Sequence, residues 1–169
     1  MLAFAALVPA ASAATASTTQ TVSANLGAIG KISVVQSSII LTHTGTIFAD
    51  FTGSVTVQYE LRTTVTTGSS SLTVKAGGEF SPTTGPSIAR GDFTYTCSGA
   101  TVGTACSGRQ TVSTTSQTSV VTVGSGACTG TGCAGSNPNS AIVNLNLVDS
   151  PTFTTGTYST NLVFSISAI

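Results

Sequence analysis

The sequence predicts an all-β chain folded as an antiparallel β-sandwich, and three observations carry that expectation. Apolar and polar residues alternate over several segments of strand length. Gly, Pro and Asn turn signals separate those segments. The composition is rich in hydroxyl residues, with 32 Thr and 24 Ser among 169 residues. Thr is β-branched and fits a pleated surface, while Ser and Gly serve loops.

The first candidate strand lies in an amino-terminal arm. Its even positions Val22, Ala24, Leu26, Ala28, Gly30, Ile32 and Val34 are small or apolar, and Thr21, Ser23, Asn25, Gly27 and Lys31 occupy odd ones. A period of two means that one face is buried, either in the chain's own sandwich or, as a donor strand, in the groove of a neighbouring subunit. Residues 54–62 give the clearest alternation, with Val55, Val57, Tyr59 and Leu61 on one face. Further strands are expected over residues 71–76, 92–97, 117–123 and 140–148, the last placing Val143, Leu145 and Leu147 opposite Asn144 and Asn146. The carboxy terminus repeats the pattern, with Tyr158, Leu162, Phe164, Ile166 and Ala168 on one face and Ser159, Asn161, Ser165 and Ser167 on the other. Breakers fall at residues 67–70, 81–86, 137–139 and 149–151. About seven to nine short strands joined by such turns point to a sandwich, with a closed barrel as the competing closure. No repeat of fixed length is present, which disfavours a β-helix or propeller. The Thr-x-Thr triplets, such as Thr42-His43-Thr44, recur too irregularly for a flat ice-binding array.

Residues 2–10 are apolar and end at Ala11-Ser12-Ala13, a small-x-small cleavage pattern, so residues 1–13 read as an export signal. The basic region that usually opens such a signal is missing, Met1 running straight into Leu2. The domain organisation is then a signal at 1–13, an arm at 14–30 and a sandwich domain at 31–169, in a secreted or cell-surface protein. Cleavage leaves roughly 150 residues, the size of one domain. No later stretch has the roughly 18 apolar residues of a membrane-spanning helix. Five basic and five acidic side chains cancel to zero, which leaves no electrostatic footprint for nucleic acid. An uncharged β surface also resists association poorly, an asset for an assembling subunit.

Cys97, Cys106, Cys128 and Cys133 allow three pairings. With an export signal they read as disulfides, and local pairs, Cys97 with Cys106 and Cys128 with Cys133, are expected because each brackets a Gly-containing segment. Zinc would need C-x-x-C-like spacing or nearby histidine, and the only histidine, His43, is remote. No metal or other cofactor is expected.

Catalysis is not expected either. The chain has one histidine, no G-x-S-x-G elbow and no thiol expected to be free. Asp50, Glu60, Glu79, Asp92 and Asp149 show no spacing that pairs two carboxylates for glycoside hydrolysis or clusters them for calcium. The competing function is a monomeric secreted module that binds carbohydrate or mediates adhesion. Sugar platforms usually use exposed aromatic rings, and there is no Trp and only three Tyr, two of them on apolar strand faces.

The export signal, the alternating arm, the two short cysteine loops and the final strand from Gly156-Thr157-Tyr158 to Phe164-Ser165-Ile166 together resemble donor-strand pilins and the spore coat protein U domains. The resemblance covers the two ends of the chain better than its middle. It departs in the first strand, where those families often carry a cysteine and this chain has none before Cys97. What the resemblance implies is an immunoglobulin-like sandwich that polymerises outside the cell as a filament, pilus or coat. It also implies homopolymeric partners joined by strand addition, and an assembly chaperone and outer-membrane usher.

Overall fold

Where alternation is strongest the backbone is pleated, and the pleated segments stack as two layers. The computed structural model describes residues 20–25, 27–43, 45, 47–63, 68–125, 133–134 and 137–169. Among them are ten strands and no helix: β1 (Ile29–Val34), β2 (Phe51–Arg62), β3 (Ser70–Ala76), β4 (Phe93–Ser98), β5 (Thr104–Ala105), β6 (Gln110–Thr111), β7 (Thr118–Val123), β8 (Cys133–Ala134), β9 (Asn137–Leu147) and β10 (Leu162–Ala168). The first sheet runs β1-β2-β9-β4-β6, with β8 paired to the start of β9, and the second runs β10-β3-β7-β5. Every pairing is antiparallel. The chain is thus an antiparallel β-sandwich, as its sequence predicts.

β2 shows why. Val55, Val57, Tyr59 and Leu61 are buried, and the residues between them are half-exposed. In the register Val55↔Val143 and Val57↔Ala141, neighbours on β9 point to the same face and extend the apolar layer. Leu72, Val74 and Ala76 on β3 cover that layer from the second sheet. Burying each Val or Leu contributes about 1.5–3 kcal/mol, so the alternation fixes both the strand and the face it turns inward.

Departures from simple alternation have local causes. In β7 the register with β3 steps from Leu72↔Val121 to Thr73↔Ser119, so Val120 is an extra residue and both Val120 and Val121 are fully buried. Residues 137–139, expected as a turn, instead open β9. Pro138 pairs only with β8, because the β2 ladder ends at Tyr59↔Asn139 and demands no amide from it. Tyr158 lies outside β10 and stacks over Gly85, where an added Cβ would meet its ring at 2.3 Å.

Two tyrosines cross the core. The Tyr59 hydroxyl donates to the Val102 carbonyl, and that of Tyr95 to the Ser119 carbonyl at 2.8 Å. Burial pushes both phenols above their ordinary pKa, opposed in part by the Val102 backbone and Thr101 side chain at Tyr59 and by the Thr118 side chain at Tyr95. The folded state therefore keeps its protons where the unfolded chain loses them, so stability is full below about pH 10 and falls as pH rises through the folded pKa values. The loss is expected to reach up to about 1.4 kcal/mol per tyrosine per pH unit. Urea titrations at pH 8 and pH 11 test this, and the pair Tyr59→Phe and Tyr95→Phe should flatten the difference. An unchanged alkaline loss in that double variant would place its origin elsewhere.

Candidate functional site

The two sides of the sandwich are closed differently. On one side β4 of the first sheet crosses over to β5 of the second through residues 99–103, and Cys97 is joined to Cys106 across that crossover. The crossover is tied down at both ends, Thr101 N–H donating to the Ser140 carbonyl at 3.0 Å and Cys106 N–H to the Val120 carbonyl at 2.9 Å. Gly103 has φ +87°, and a Cβ there would come within 2.6 Å of the Thr122 carbonyl oxygen, so only glycine fits this approach. The edge strands on this side, β5 and β6, are two residues long. Short edges of this kind offer little backbone to another chain.

The other side is formed by β1 and β10, of six and seven residues, each paired along one flank only among the described residues. They face each other across the sandwich, a Cβ on Gly30 meeting the Ile166 side chain at 3.2 Å. Gly30, Ile32 and Val34 lie opposite Leu61, Tyr59 and Val57 on β2, so they share the core face. On β10, Leu162, Phe164, Ile166 and Ala168 lie opposite Ala76, Val74, Leu72 and Ser70 of β3 and share it too.

Their burial does not match that placement. The β2 and β3 partners are all buried, yet Ile32 and the four β10 residues are only half-buried, and Val34 is 39% exposed. Among the described residues no further strand pairs beyond β1 or β10, and Ile39 and Leu41, which follow β1, pack on the same core. β10 carries no charge, no proline and no register shift, and Val163 on its outer face is 41% exposed. It therefore lacks the devices that usually blunt an edge strand. On β1 the only charge, Lys31, is paired with Glu60 at 3.1 Å.

Seven arm residues were singled out from the sequence, and the structure divides them. Gly30, Ile32 and Val34 are in β1, hydrogen-bonded to the chain's own β2; β1 begins at Ile29, just ahead of the expected domain boundary at 31. Val22, Ala24 and Ala28 are exposed and outside any strand, Val22 at 87%, while Leu26 lies outside the described residues. The arm meets the fold at Gly27, whose carbonyl accepts from Arg62 Nε at 2.9 Å. Beyond β1 the ladder continues briefly, Val35 N–H donating to the Thr56 carbonyl and Thr56 N–H to Gln36 Oε1. The Cys97–Cys106 disulfide is present as expected; the pairing of Cys128 with Cys133 falls outside the described side chains.

The titratable groups hold turns. Glu79 accepts from Ile88 and Ala89 N–H, Asp92 from Ser87 N–H and Arg90, and Asp50 from Asp149 N–H. His43 packs edge-on against Phe51 with ring centroids 5.0 Å apart. Among the described residues no three His, Cys, Asp or Glu side chains gather as metal ligands, and no helix is long and apolar enough to cross a membrane. Compared with known proteins, the chain matches no family model, no curated protein and no solved structure.

Proposed function

We propose that this chain is a non-catalytic structural subunit of an extracellular filament, pilus or coat, in which the arm of one copy adds as a strand to the open β1–β10 side of the next. One observation carries the reading: core-facing apolar residues on two long edge strands, of which β10 is unblunted, are left part-exposed beside an arm that alternates in the same period. An added strand would satisfy free backbone groups of an edge and cover Ile32, Phe164 and Ile166 at once. The absence of net charge favours association, and the export pattern at residues 2–13 suits assembly outside the cell. An assembly chaperone and usher would fit the same scheme by shielding that side before polymerisation.

The test separates arm from body. Val22→Asp with Ala24→Asp changes only exposed arm positions, so it should abolish polymers seen by electron microscopy of the wild type while leaving the melting temperature unchanged. Ile32→Asp should instead destabilise the isolated subunit, because Ile32 packs within the chain's own first sheet. A synthetic peptide of residues 20–28 should bind the arm-deleted chain and slow amide exchange along β10. The reading fails if the wild type stays monomeric under all conditions with its own arm protected from exchange, or if the arm variants polymerise normally.

A further inference from the structure

On the outer face of the first sheet, beyond the end of the β1 ladder, β2, β9 and β4 form a hollow of about 530 Å3. Its floor is a grid set by register. Thr52, Asn146 and Thr94 make one cross-strand row, and Ser54, Asn144 and Thr96 make the next. Strands lie about 4.8 Å apart and alternate residues about 6.8 Å apart, so the grid is about 10 by 7 Å. Thr42, bridged to Thr52, forms one rim, and Arg109 forms the other.

The chemistry of this grid is unusual for a plain solvent face. All six floor side chains are hydroxyls or amides, able to donate and accept, and none is charged. Thr94 is only 6% exposed although it points away from the core, so the floor is recessed. Among the described residues no hydrogen bond fixes the Asn146 amide, whose Oδ1 is buried without a partner, and Asn144 uses only its Nδ2, donating to Ser98 Oγ at 3.2 Å. Above this neutral floor stands Arg109, whose guanidinium has no ion pair or hydrogen bond among the described residues. In a chain with only five basic residues, an unpaired Arg beside a recessed hydroxyl and amide grid is a specific combination.

We infer that this hollow binds a hydroxyl-rich, anionic ligand, an acidic sugar unit whose carboxylate or sulfate engages the Arg109 fork while its hydroxyls exchange hydrogen bonds with the Asn144, Asn146, Thr96 and Ser54 side chains. The guanidinium offers paired donors matched to two oxygens of such an anion. The footprint accepts one or two pyranose rings, and the absence of an aromatic platform makes each site weak, with a dissociation constant on the order of millimolar. Weak single sites repeated along a filament would gain avidity, but the hollow does not depend on the strand-addition reading, since it uses neither the arm nor β10.

Isothermal titration calorimetry of the full chain against trigalacturonic acid, galactose 6-sulfate and galactose tests the inference. Saturable binding is expected for the acidic sugars, at least about tenfold tighter than for galactose. The stronger of the two acidic ligands identifies the anion as carboxylate or sulfate. Arg109→Gln should erase the acidic preference, and Asn144→Ala should weaken acidic and neutral sugars alike. Arg109 is exposed and Asn144 is half-buried on the outer face, outside the apolar core, so folding should be retained, as thermal melts of each variant would show. Absence of binding to both acidic sugars, equal binding of galactose, or wild-type affinity in Arg109→Gln would overturn the inference.

Discussion

Tyr59→Ala is expected to lower the unfolding free energy by about 4 kcal/mol, the middle of the range for removing a buried aromatic ring. The residue is 1% exposed and sits mid-strand on β2, opposite Ile32 of β1 and Asn139 of β9. Its ring spans the core, and its hydroxyl reaches the Val102 carbonyl in the β4–β5 crossover, so one side chain links the open side of the sandwich to the closed one. Tyr59→Phe keeps the packing and leaves that carbonyl without its donor, which should cost about 1–2 kcal/mol. Urea denaturation of the two variants separates ring from hydroxyl. A loss below about 1 kcal/mol in Tyr59→Ala would mean that the site collapses around the cavity, contrary to the close packing expected of a core. Because Ile32 is a direct neighbour, the alanine variant should also loosen β1, visible as faster amide exchange there before global unfolding.

Alternation made the faces of this fold legible but not always their partners. Val55, Val57, Tyr59 and Leu61 are readable because every second residue is apolar, and a slip by one position would turn all four to solvent. The same logic places Gly30, Ile32 and Val34 on a core face, and the structure does pair them there. Whose core they and the preceding arm complete is a question of tertiary pairing, which a period of two does not encode. β5, β6 and β8 escaped because two residues are too few to show any period. β7 hides its bulge, since Val120 and Val121 in succession read as a break in pattern until the register with Leu72 is seen. The polar grid was invisible for a different reason. Thr52, Ser54, Asn144 and Asn146 look like ordinary outward positions, and only strand order brings them into two rows beneath Arg109, which the sequence leaves in a loop.

Replacing Cys97 and Cys106 together by serine is expected to cost about 2.7 kcal/mol, the loop-closure value for a cross-link spanning roughly ten residues. The separation of nine residues is short, so the entropic gain is near the lower end for disulfides. Its placement gives the bond a second role. Cys97 is on β4, paired with Val143 of the first sheet, while Cys106 follows β5 and bonds to Val120 of the second. The bridge therefore staples the two layers on the side away from β1 and β10, where β5 and β6 are too short to hold the edge by ladder bonds alone. A melting temperature lower by about 8 °C should follow, at about 3 °C per kcal/mol for a domain of this size. Amide exchange should accelerate first around β5 and the crossover, with β10 unaffected until global unfolding. That spatial pattern is the decisive reading: if the double serine variant loosens β10 as early as β5, the two sides are not independent, and the closed side supports the open one more directly than this pairing implies.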